Sequence, residues 1–103
     1  MKDISQGDIV KVSGFPRRHF VVVSKNVFIR SAGVLHICPF ISGIPAGPLH
    51  IPVKGKKGTT GTVICEQIKL IDPMTRGITR MDRLGYTDIM NVSDAIQGIF
   101  EYD

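Results

Sequence analysis

One hundred and three residues with 43% apolar side chains make one small domain, and at this length only about 60–70% of the unfolded surface is buried, so stability is expected to be modest or shared with a partner subunit. Thirteen Lys and Arg against nine Asp and Glu give a net charge of +4, which suits a phosphate-bearing partner and equally a solvated basic surface. No apolar run approaches the ~18 residues needed to cross a bilayer and Met1 to Gln6 lacks the apolar core of a secretory signal, so no membrane association and a cytoplasmic location are expected.

Residues 7–12 alternate after a glycine and predict a first strand with Ile9 on one face and Val10 and Val12 on the other. Residues 13–18 form a turn carrying two adjacent cations, Arg17 and Arg18, at the entrance to the apolar central strand 19–24. Residues 25–33 are ambiguous and are treated as a connection, the alternative being a helical turn that ends at Gly33. A third strand, 34–41, is expected to bend or lie at an edge at Pro39, which has no N–H for a ladder. The loop 42–48 leaves backbone N–H groups and the Ser42 hydroxyl free to face a ligand.

Residues 49–53 alternate, so Leu49, Ile51 and Val53 share a face and His50 points away from it. The basic, glycine-rich turn 54–61 is expected to be mobile; its lysines, Lys54, Lys56 and Lys57, suit a solvated turn or a strip that tracks phosphates without specificity. Residues 62–72, bounded by Gly61 and Pro73, predict one long, largely buried strand. Glu66 stands inside it. An unpaired buried carboxylate is costly or gives up its charge, so Glu66 is expected to have a cationic or hydrogen-bonding partner, or to open onto a cleft.

Cys38 and Cys65 each fall in an apolar strand, where a free thiol acts as a small hydrophobe. Residues 74–82 predict a short helix or turns broken at Gly77, with Arg76, Arg80 and Arg83 on a cationic side. Thr87 is the expected N-cap of a closing amphipathic helix in which Ile89, Val92, Ile96, Ile99 and Phe100 recur at helical spacing through Tyr102. Five or six short strands and one closing helix predict a mainly β fold, a small bent antiparallel sheet or barrel capped by that helix.

The order of motifs is distinctive: Gly7-Asp8-Ile9-Val10, Arg18 ahead of Phe20-Val21-Val22-Val23, Pro39-Phe40-Ile41-Ser42, and Cys65-Glu66-Gln67-Ile68-Lys69-Leu70-Ile71-Asp72. Through nearly the whole chain it resembles the MazF/PemK family of toxin endoribonucleases. The resemblance implies an SH3-like β-barrel of the kind shared with CcdB, a homodimer, metal-independent cleavage of single-stranded RNA, and silencing by a small MazE/PemI-like antitoxin. By position, Arg18 matches the family's catalytic arginine, Glu66 the acid implicated in base recognition or catalysis, and Asp8 an acidic position near the site in some members. Three departures stand out. Ile41 falls where the family has threonine, with the Ser42 hydroxyl next to it. The loop between the first two strands is shorter than usual, so Arg17 competes with Arg18 for the match. Ile64 replaces an arginine that some members carry two residues before the acid.

RNA is cut by its own ribose when the 2′-hydroxyl attacks the adjacent phosphorus, leaving a cyclic phosphate and a 5′-hydroxyl. The step needs a base for the 2′-proton, donors or cations for the phosphoryl oxygens, and an acid for the leaving oxygen. Glu66 is the candidate base and Arg18 the charged fork on the phosphate, with Ser42 and its loop amides as further donors. His19 or His50 is the candidate acid. Phe15 and Phe20 are the aromatics nearest the arginines for base stacking, and Asp8, Arg17, Gln67 and Lys69 complete the expected RNA-binding set. No His, Cys and acidic cluster has metal-site spacing, so neither a metal nor another cofactor is expected. Two other functions fit this class of fold. One is a CcdB-like gyrase-binding toxin, against which stands the absence of tryptophan. The other is a degenerate member that binds antitoxin or RNA without cutting, motivated by Ile41 and the shortened loop.

Overall fold

The computed structural model describes residues 4–101. The elements run β1 (Asp8–Val12), β2 (His19–Val22), α1 (Asn26–Ala32), β3 (Leu35–Ile41), β4 (His50–Lys54), β5 (Thr60–Ile64), a 3-10 turn (Cys65–Gln67), β6 (Lys69–Ile71), β7 (Ile78–Arg83) and α2 (Tyr86–Ile99). All strands pair antiparallel in the order β4-β5-β3-β2-β1-β7, with β6 also on β3. The sheet is a strongly bent one that does not close into a full barrel: among the described residues its end strands β4 and β7 do not pair along their length, and the Gly55–Leu84 bridge and a bond from the Lys56 N–H to the Arg83 carbonyl link the chain just beyond them.

Strand alternation sends side chains to both faces, and each face is covered. On one, Ile9, Val21, Cys38, Phe40, Val53 and Val63 pack under α2, which contributes Ile89, Val92, Ala95, Ile96 and Ile99. On the other, Val10, Val12, Phe20, Val22, Leu35 and Ile37 pack against Ile29 of α1 and Phe15 of the β1–β2 turn. The helix α1 stops where Gly33 takes a left-handed conformation and its N–H returns to the Ile29 carbonyl.

Pro39 lies within a central strand, at a point where one side of that strand is locally an edge, as its missing N–H requires. The Val23 N–H bonds the His36 carbonyl. Alternation along the ladder then makes Phe20–Pro39 a pair without mutual hydrogen bonds, with the proline nitrogen turned to the other side. There β5 has left β3 after Phe40–Val63 and β6 has not yet joined it at Ile37–Lys69, so no ladder donor is missed. The same gap breaks the long strand expected over 62–72. Cys65–Gln67 turns in a 3-10 conformation and the Cys65 N–H goes to the Leu49 carbonyl instead. Glu66 is therefore exposed rather than buried in a strand.

Four further expectations are corrected. Residues 78–83 form strand β7, because the Ser13–Gly77 bonds lay the chain along β1. A bulge at Met81 interrupts the alternation that would have marked it: Val10 faces Arg80 and Ile9 faces Asp82. The turn after β4 is tied down, with the Lys57 and Thr59 N–H groups on the Asp82 carboxylate. The N-cap of α2 is Gly85, not Thr87; Asp88, in the first turn, accepts the Lys54 N–H at 3.1 Å. Phe100 follows the helix and is exposed, and the expected last helical residue, Tyr102, lies outside the described residues.

Candidate active site

The 3-10 turn delivers the Glu66 carboxylate to the surface beside the first residue of β4. Its Oε2 lies 2.8 Å from His50 Nε2, with side-chain exposures of 42% and 35%, so the pair is reachable by a ligand yet partly shielded from water. The hydrogen bond from His50, with help from the backbone N–H of Glu66 itself, holds this carboxyl below its usual range. Glu66 is thus an ionised acceptor with an imidazole fixed against it. The partner expected for Glu66 from the sequence exists, and it is a histidine on the neighbouring strand.

Cross-strand register tells which residues share the face with this pair, because residues opposite one another point the same way. His50 faces Ile64, two residues after Thr62; Thr62 faces Ile41; and Ile37, in step with Ile41, faces Lys69. His50 and Lys69 therefore lie on one face. The Lys69 ammonium sits 5.0 Å from the Phe15 ring centre and 5.7 Å from that of Phe20, an aromatic pair in edge-to-face contact at 5.4 Å. Arg76 lies 5.1 Å from the same Phe15 ring and its guanidinium donates to the Ser13 carbonyl. The β1–β2 turn, closed by the Arg18 N–H on the Phe15 carbonyl, is thereby clamped between Lys69 and Arg76, with Arg17 and Arg18 exposed beside them.

The chain segment that begins with Glu66 thus ends on the turn that carries Arg18. Among the described residues Arg18 makes no ion pair with Glu66, and no arginine contributes to lowering that carboxyl. Ser42 lies just past the end of β3 in an exposed turn, where strand alternation no longer dictates its direction, and Ile41 faces Thr62 across the sheet. The Thr62 hydroxyl bonds the Ile44 carbonyl and so fastens the 42–48 loop to β5. Gln67 is exposed in the 3-10 turn.

Two members of the expected set lie elsewhere. Asp8 is fully buried, with Arg83 Nε at 3.2 Å and Arg80 at 3.7 Å from its oxygens, so it joins β1 to β7. His19 faces Phe40, in the α2-side core, and so belongs to the opposite face from His50. Burial pushes the Cys38 thiol up to about 12 and the Cys65 thiol to about 11, which keeps both as inert apolar groups. The Glu66–His50 contact had one sequence signal: His50 points away from the apolar face of its strand. The role of Asp82 as an anchor had none.

The structure resembles solved toxins over nearly its full length. It matches MazE–MazF from Deinococcus radiodurans at a TM-score of 0.81 and 17% identity, covering 97% of each chain. It matches an endoribonuclease in complex with its cognate antitoxin from a mycobacterial species at 0.79 and 13%, covering 97% of this chain and 99% of that one. The Mycobacterium tuberculosis toxin MazF-mt6 follows at 0.64 and 17%, covering 84% and 88%. No curated protein gives a significant sequence match. These likenesses define the fold as that of the MazF toxins. The family model for PemK-like, MazF-like toxins of type II toxin-antitoxin systems matches residues 5–100, and the chain belongs to that family.

Proposed function

We propose that this chain is a sequence-specific endoribonuclease that cuts single-stranded RNA by attack of the 2′-hydroxyl on the neighbouring phosphorus, without a metal. The observation that carries the reading is the exposed, ionised Glu66 held at 2.8 Å from His50, on the face that also holds Lys69. Glu66 accepts the 2′-proton and the hydrogen bond with His50 fixes the carboxylate. Entering and leaving oxygens stand on opposite sides of phosphorus, so a hydrogen-bonded pair serves one end only. That assigns His50 to the base side. His19, on the other face, is no longer the candidate acid, and water protonates the leaving 5′-oxygen.

Arg18, Lys69 and the Ser42 hydroxyl supply positive charge and donors to the phosphoryl oxygens, where charge builds in the transition state. Arg17, Phe15 and Gln67 border the same surface and hold the strand. The chain acts as a homodimer, and a disordered acidic antitoxin of the MazE/PemI kind covers the cationic surface and silences it. The reading is tested by incubating purified protein with single-stranded RNA in EDTA. Wild type yields 5′-hydroxyl fragments, and Glu66→Gln and Arg18→Ala yield them far more slowly; cutting by these variants at the wild-type rate would reject the assignment.

A further inference from the structure

At the far end of β4 from His50, about 13 Å away at ~3.3 Å per residue, a second cationic site is built around the edge strand β7. A cavity of about 250 Å³ is lined by Lys56, Lys57, Arg80, Met81, Asp82 and Arg83. Two buried carboxylates hold its walls. Asp82 accepts the Lys57 N–H at 3.0 Å and the Thr59 N–H at 3.3 Å, which pins the lysine turn against β7. Asp8 receives Arg83 Nε at 3.2 Å and Arg80 at 3.7 Å.

The bulge at Met81 makes this arrangement possible. In a regular strand, residues 80 and 83 would point to opposite faces. With one residue set aside, Arg80 faces Val10 and Arg83 faces Asp8, and Val10 and Asp8 share a face. Both guanidinium groups therefore lie over one carboxylate. Asp8 engages Arg83 through Nε, which uses one of the five donors of that guanidinium.

We propose that this cavity is a binding site for phosphate groups of a single-stranded nucleic acid, separate from the Glu66–His50 pair. Four cations line it against two carboxylates that serve as their anchors, so an anion is the ligand that balances the charge. Met81 is its only apolar side chain, and a protein segment would need pockets for apolar anchors that this lining lacks. Phosphate groups offer acceptor oxygens on several sides and match both the arginine fork and the lysine ammonium groups. The site stands whether or not the chain cuts RNA.

The test uses the full chain and a labelled single-stranded oligodeoxynucleotide, which lacks the 2′-hydroxyl and cannot be cut by ribose attack. Lys56→Gln with Lys57→Gln removes two exposed cations while leaving their backbone N–H groups and the arginine–Asp8 pairs intact. Lys11→Gln with Lys25→Gln, at exposed positions outside both sites, removes the same net charge. Fluorescence anisotropy across a salt series should show the first variant binding about tenfold or more weakly. Its slope of log K against log salt should be shallower by about 1.4, at ~0.7 per lost cation. The control should stay within about twofold of wild type. Equal losses in the two variants, or wild-type binding by the first, would overturn the proposal. Pyrophosphate that displaces the oligonucleotide from wild type, and shifts the Lys57 and Arg83 amide resonances, supports a site for phosphate as such; displacement without those shifts puts the anion elsewhere and counts against it. Tighter binding of an equally charged oligo-aspartate, lost in the same lysine variant, would reject nucleic acid in favour of an acidic protein segment.

Discussion

Glu66 and His50 come from different strands, the one from the 3-10 turn after β5 and the other from the start of β4, yet their side chains meet at 2.8 Å. Replacing Glu66 with Gln keeps the shape and removes the proton acceptor. Loss of a general base costs about 10²–10⁴ in rate. RNA cleavage measured by gel should fall in that range, while far-UV circular dichroism and the melting midpoint stay at wild-type values because the side chain is exposed.

The hydrogen bond from His50 lowers the Glu66 carboxyl below its usual range. His50→Ala removes that bond, so the carboxyl should titrate at higher pH and the acidic limb of the pH–rate profile should move toward neutrality. Rates measured between pH 4 and 8 on wild type and variant would read the shift directly; an unmoved limb would separate His50 from the base.

Phe15 holds the arginine turn between two cations, Lys69 at 5.0 Å and Arg76 at 5.1 Å. Phe15→Ala removes a half-buried ring and both contacts, at a cost of about 1–2 kcal/mol, less than a fully buried phenylalanine because water already reaches part of it. Urea unfolding should show that loss, and RNA binding should weaken because Arg17 and Arg18 are no longer positioned.

Much of this was readable from the chain. The opposed faces of Ile9 and Val10, the Gly33 helix stop and the apolar stripe from Ile89 to Ile99 followed from local periodicity, since each of those segments packs on its own pattern. What was hidden depended on partners distant in sequence. The break at Cys65–Gln67 reflects the gap beside Pro39 on β3, which composition within 62–72 does not contain. Strand β7 was masked by Gly77 and by the bulged Met81, which destroys a period of two over a six-residue element. In the candidate site the Glu66 segment and the arginine turn were legible as motifs. The pairing with His50 and the clamp of Lys69 on Phe15 required the register of β3, β4, β5 and β6.

Asp82 predicts how the fold answers acid. Burial alone would raise its carboxyl, but the Thr59 hydroxyl and the N–H groups of Arg83, Lys57 and Thr59 hold it at about 2, against an ordinary 3.8. A depressed carboxyl stabilises the fold fully above the unfolded value and loses that contribution as pH falls from about 4 toward 2. Wild type should therefore lose melting temperature steeply across that window. Asp82→Asn should melt lower than wild type at pH 7 and show a flatter acid limb between pH 4 and 2.

Gly61 is required by shape. A Cβ there would collide with the ring of Phe40, a core residue. Gly61→Ala should destabilise by about 1–3 kcal/mol through displaced packing, read from chemical denaturation.

The most direct test of the nuclease reading is phosphorus NMR of the products formed from one RNA and from the same sequence carrying a single 2′-deoxyribose at the cleaved position, both in EDTA. Ribose attack assisted by Glu66 predicts a cyclic phosphate resonance from the first and an intact second strand. Cleavage of the deoxy-substituted strand at that position, or a linear phosphate as the first product, would contradict it.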